Sequence, residues 1–70
     1  MKELIIKALN KKYESQIAEA KAIITIYLEK SVGIGEHPQH LEEIDKQLSK
    51  IAEAEDKQKV LLNTFDEIPF

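Results

Sequence analysis

The sequence predicts an all-α protein: an antiparallel two-helix hairpin, coiled-coil-like, with enough spare apolar surface to assemble into a helical bundle. Three observations carry this expectation. Residues 2–30 and residues 39–64 contain neither Gly nor Pro. Both stretches repeat apolar side chains at helical spacing. Gly33, Gly35 and Pro38 all fall between them. The hairpin is therefore expected over residues 1–65, with helices at about 2–30 and 38–64, a turn at 31–37 and a tail at 66–70.

In the first helix the apolar stripe runs through Ile6, Leu9, Tyr13, Ile17, Ala20, Ile24, Tyr27 and Leu28. Lys7, Lys11, Lys12, Glu14, Glu19 and Lys21 fall between these positions, as a solvated face requires. Ile5 and Ile23 widen the stripe on one flank, and Ile26 lies well off it. That is more apolar surface than one antiparallel neighbour can cover, so Ile5, Ile23 and Ile26 are the first candidates for a partner-binding surface.

The turn has its own chemistry. Gly33 suits the left-handed position that closes a helix, and Pro38 suits the first turn of the next, where a missing N–H costs nothing. Glu36 or His37 then stands at or just before the N-cap. A connection this short joins antiparallel neighbours.

The second helix shows a heptad through Leu41, Ile44, Leu48, Ile51, Glu55, Gln58, Leu62 and Phe65. Glu42–Lys46, Glu53–Lys57 and Glu55–Lys59, with Glu3–Lys7 in the first helix, have the favourable order for pairs one turn apart. Setting Ile24 against Ile44 places Ala20 against Leu48, Ile17 against Ile51 and Ile6 against Leu62. The same register brings Asn10 to Gln58 and Tyr13 to Glu55, so the polar interruptions of both stripes share one height. Two readings stand side by side: a buried polar layer that fixes alignment, or four side chains that reach solvent at a loosely packed end.

Composition narrows the class. A chain of 70 residues rarely builds a self-sufficient core without staples or oligomerisation. It has no cysteine, which excludes disulfides and thiolate metal sites and fits a reducing, cytoplasmic setting. With 43% apolar and 33% charged residues it belongs with folded helical chains, not disordered ones. The apolar runs are too short to span a bilayer, and charge recurs too early for a signal peptide. Residues 1–30 carry six Lys against four Glu, and residues 31–70 four Lys against nine acids, which gives +2 and −5 and the net −3. The halves attract each other. Lys7, Lys11 and Lys12 make a small basic patch, but no Arg or aromatic side chain accompanies it, so a solvated face explains it and no nucleic-acid partner is expected.

Candidates for chemistry are few. His37 and His40, with Glu36 and Glu43 nearby, are the metal candidates, but the segment offers no rigid third ligand. No metal and no cofactor is expected. Gly33-Ile34-Gly35 ahead of a helix resembles a phosphate loop only in its glycines; no strand precedes it and no Lys follows it. The chain lacks Cys, Arg and Trp and shows no Ser–His–acid constellation, so catalysis is not expected.

Val32-Gly33-Ile34-Gly35-Glu36-His37-Pro38 and Ile51-Ala52-Glu53-Ala54-Glu55-Asp56-Lys57 resemble segments of short helical proteins encoded by tailed bacteriophages. The likeness covers roughly residues 13–65 and implies an accessory role in the host cytoplasm or the virion, with no activity to carry over. The end of the chain, Phe65-Asp66-Glu67-Ile68-Pro69-Phe70, is similar to the acidic-apolar peptides with which phage late-transcription coactivators engage a sliding clamp, although Pro69 departs from that pattern. The expected function is thus a non-enzymatic protein-interaction or assembly module, a dimer in its simplest form. The alternative is a transcription or replication adaptor that binds a polymerase or sliding clamp through the hairpin and the C-terminal tail, with Phe65, Ile68 and Phe70 docking.

Overall fold

The structure, a computed structural model, describes residues 1–30 and 38–65. It is all helical: α1 spans Lys2–Lys30 and α2 spans Pro38–Thr64. The expected turn at residues 31–37, with Gly33, Gly35 and His37, lies outside the described residues, as do Ile68 and Phe70. Glu3 in the first turn of α1 and Lys30 in its last oppose the helix dipole at each end. Thr25 is β-branched and mid-helix, yet its hydroxyl donates to the Lys21 carbonyl at 2.9 Å, which satisfies it within the turn.

Two contacts fix the pairing. Near one end Gln58 meets Asn10, and near the other the Tyr27 and His40 rings lie 5.2 Å apart. Position rises along one helix as it falls along the other, so the helices are antiparallel. The molecule is a rod of 51 × 15 × 12 Å. Its radius of gyration is 16.0 Å, against about 11 Å for a compact chain of this length.

The seam in α1 follows the predicted stripe. Ile6 and Ala20 are buried, and Leu9, Tyr13, Ile17, Ile24 and Tyr27 are half-buried. Leu28 departs from it and is exposed. The seam in α2 differs at every second position. Ile44, Ile51, Gln58 and Phe65 do face α1, but the residues between them are His40, Gln47, Ala54 and Leu61. Leu41, Leu48 and Leu62 are 74%, 52% and 46% exposed, and Glu55 is in water. The expected oppositions of Ala20 with Leu48 and of Ile6 with Leu62 are corrected accordingly: α2 is rotated so that the residue before each leucine enters the seam.

The physical reason lies in Glu55. The leucine-bearing frame would draw its carboxylate out of water to a position between the helices, at a cost of several kcal/mol. The adopted frame places Ala54 there instead, and Ala54 and Ala20 are both nearly inaccessible. Small side chains let two backbones approach. The result is a thin core of Ile6, Ala20, Ala54, Leu61 and Gln47.

Ala54→Leu should therefore force the helices apart, costing about 1–3 kcal/mol and about 4–8 °C of melting temperature per kcal/mol. Ala22→Leu, at an exposed position of α1, should change it little. Thermal unfolding followed by circular dichroism checks both; equal effects would contradict the assigned seam.

Candidate functional site

Three regions could carry function: a polar tie across the seam, the aromatic end near Tyr27, and the two flanks that the hairpin leaves in water.

The tie is built on Asn10 and Gln58. Gln58 Nε2 donates to Asn10 Oδ1 at 3.1 Å in a part-buried position. Asn10 Nδ2 in turn donates to Glu14 Oε2 at 3.4 Å, and the other Glu14 oxygen is 3.4 Å from Lys11 Nζ. The row thus runs from amide to amide to carboxylate to ammonium, with its outer half exposed. Glu55, expected in the same layer, is not part of it, because the rotation of α2 turns it to solvent. Tyr13 stands on the other side, where Lys57 Nζ lies 5.8 Å from its ring centroid. Glu14 and Lys11 were not anticipated; the one signal for them is the four-residue spacing from Asn10 to Glu14, which stacks two side chains on one helix face. None of the anticipated Glu42–Lys46, Glu53–Lys57, Glu55–Lys59 and Glu3–Lys7 pairs is the ion pair formed among the described residues, which is Lys11–Glu14. Both its members are well exposed, so it adds little stability.

At the other end Tyr27 and His40 meet edge to face at an interplanar angle of 65°, a favourable geometry for two rings. A shallow depression there is lined by Tyr27, His40, Glu42 and Glu43. His40 is thereby occupied in the seam. Among the described residues no three His, Cys, Asp or Glu side chains gather as a metal site would require. Gln47, midway along α2, is only 5% exposed, and its Oε1 accepts no hydrogen bond among the described residues.

The flanks differ in character. On one, Leu41, Leu48 and Leu62 recur at multiples of seven residues along α2, and helical spacing puts Leu28 of α1 on the same side. Leu62 there shares an apolar groove with Lys7, Asn10 and Lys11. On the other flank, Ile5, Ile26 and Val60 are exposed, whereas Ile23 is half-buried. That side is interleaved with charge: Gln16, Glu19, Lys50 and Glu53 line one groove. Tyr13, Lys57, Val60, Leu61, Thr64 and Phe65 line another. The isoleucine flank was legible from α1 alone. The leucine flank was not, because the spacing of Leu41, Leu48 and Leu62 fits a seam position equally well. No described helix is long and apolar enough to cross a membrane.

Compared with known protein families, with curated proteins and with solved structures, the chain matches none. Its class is that of an all-α two-helix hairpin, and function has to be argued from surface chemistry.

Two outcomes follow from the polar groups. A double-mutant cycle of Asn10→Leu and Gln58→Leu should show a coupling of about 0.5–1.5 kcal/mol; additive losses would mean that the amides do not bond in solution. Gln47→Leu, which removes a buried unpaired oxygen, should raise stability by about 1–3 kcal/mol, read as a higher melting temperature. A fall would show that Gln47 is satisfied in the folded protein.

Proposed function

We propose that this chain is a non-enzymatic helical assembly module that works by associating with a second copy of itself. One observation carries the reading: among the described residues the hairpin buries few apolar side chains in its own seam and leaves nine large ones exposed, several repeating along one flank. A monomer of this size rarely sustains so thin a core, and contiguous exposed apolar stripes mark protein interfaces. The polar groups brought together suit alignment more than catalysis. They are two amides and a surface ion pair.

The adaptor alternative and the phage setting belong to this proposal only through the tail and the loop motif, most of which lies outside the described residues, and through Ile51–Lys57, which is a stretch of α2. No described feature favours the adaptor over self-association.

Sedimentation equilibrium from micromolar to millimolar concentration tests the proposal. The expected mass is twice the 8.0 kDa of one chain, with loss of helicity on dilution. A fully helical single chain throughout that range would contradict it.

A further inference from the structure

We infer that the flank bearing Leu41, Leu48 and Leu62 seats a second copy of this chain, with α1 of each copy lying on α2 of the other and Lys30 of both at the same end. The inference rests on the self-association proposed above and adds which face is used and in which orientation.

The choice of face follows from the seam. Two frames were open to α2, sharing Ile44, Ile51, Gln58 and Phe65. The adopted one spends seam positions on His40, Gln47 and Ala54 and leaves three leucines outside. Such spacing is a second stripe at multiples of seven residues, offset by one residue from the first and interrupted by Glu55, whose carboxylate needs a lysine of the partner's α1 beside it when the stripe is covered. On the opposite flank, Lys12, Glu19, Glu43, Lys46, Lys50, Glu53 and Lys57 punctuate the isoleucines, and among the described residues Val60 is the large apolar side chain that α2 exposes there, so no row of leucines meets a partner on that side.

Area agrees. The chain exposes 5422 Å², whereas a compact protein of its mass exposes about 4,450 Å². The difference, roughly 1,000 Å² per chain, is spread over both flanks and the ends of the rod, so area permits an interface with the approximately 800 Å² that each partner contributes at standard size but does not choose the flank.

Charge selects the orientation. α1 carries six Lys and four Glu, net +2, whereas α2 carries four Lys and six acids, net −2. On the leucine flank itself helical spacing gives α1 Lys7, Lys11 and Lys21 with Glu3, Glu14 and Glu29, which balance, and gives α2 Asp45, Glu55 and Asp56 against Lys59, net −2. A two-fold axis parallel to the helices lays α1 on the partner's α2 and brings opposite net charges together. An axis across the helices lays α1 on α1 and α2 on α2, which sets like net charges against each other. Either axis keeps every neighbouring helix pair antiparallel, so charge alone selects between them.

Full-length variants test the face. Leu48→Lys should weaken the dimer about a hundredfold, since symmetry removes the leucine twice and each loss is worth at least tenfold. Its far-UV circular dichroism at high concentration should stay helical, because Leu48 is half exposed in the single hairpin. Leu41→Lys, at a still more exposed position, repeats the test without touching the fold. Ile26→Lys on the opposite flank should leave the dimer intact. If Ile26→Lys dissociates the dimer and Leu48→Lys and Leu41→Lys do not, the face is wrong while self-association stands. If the unmodified chain is itself a single copy, both proposals fall. For orientation, a spin label on Lys30→Cys should report an inter-copy distance under about 20 Å. The crossed arrangement would place the labels about 40 Å apart, the length of a helix of 29 residues, and that distance would overturn the orientation.

Discussion

The structure depends on one decision: which face of α2 turns towards α1. That decision is electrostatic before it is hydrophobic. Counting apolar atoms alone, the frame with Leu41, Leu48 and Leu62 wins over the frame with His40, Gln47 and Leu61. It loses because Glu55 falls on the same line, and the cost of desolvating a carboxylate between two helices outweighs a leucine's transfer energy. Ala54 in its place admits a close backbone approach, which Ala20 matches on α1. The leucines are left outside as a consequence, and the surface that could bind a partner is a by-product of keeping one charge in water.

Given that rotation, the cross-tie between Gln58 and Asn10 sets alignment along the rod. An apolar seam of isoleucines and alanines resists slippage weakly, since a shift of one turn still buries apolar atoms. A directional bond between amides has one good height only. The ring contact of Tyr27 with His40 marks a second height near the other end. Together they tie sequence to register, and register to the placing of the exposed leucines at the heights where a second hairpin would meet them.

Much of the fold was legible in the residues. Breaker-free stretches on either side of Gly33, Gly35 and Pro38 specify two helices, and the α1 stripe from Ile6 to Tyr27 is unambiguous because its flanks are charged. The meeting of Asn10 with Gln58 also follows from aligning the two stripes. The frame of α2 did not, and the cause is specific. Residues 40, 47, 54 and 61 and residues 41, 48, 55 and 62 are two sets one residue apart, and both alternate with the same Ile44, Ile51 and Gln58. Apolar counting favours the wrong set, and only the cost of Glu55 decides against it. Glu14 and Lys11 were missed for a related reason: a surface carboxylate acquires a role only when a neighbour such as Asn10 is itself held from across the seam.

The most direct measurement is an isotope-filtered NOE experiment on a mixture of methyl-labelled and unlabelled chains. With α2 rotated as described and the leucine flank occupied by a second copy, the methyls of Leu41, Leu48 and Leu62 give cross-peaks to protons of the unlabelled chain, including those of α1. Cross-peaks from these methyls to Ile6, Ala20 and Ile24 of their own chain, with none between copies, would place the leucines in the intrachain seam and contradict both the rotation and the interface built on it.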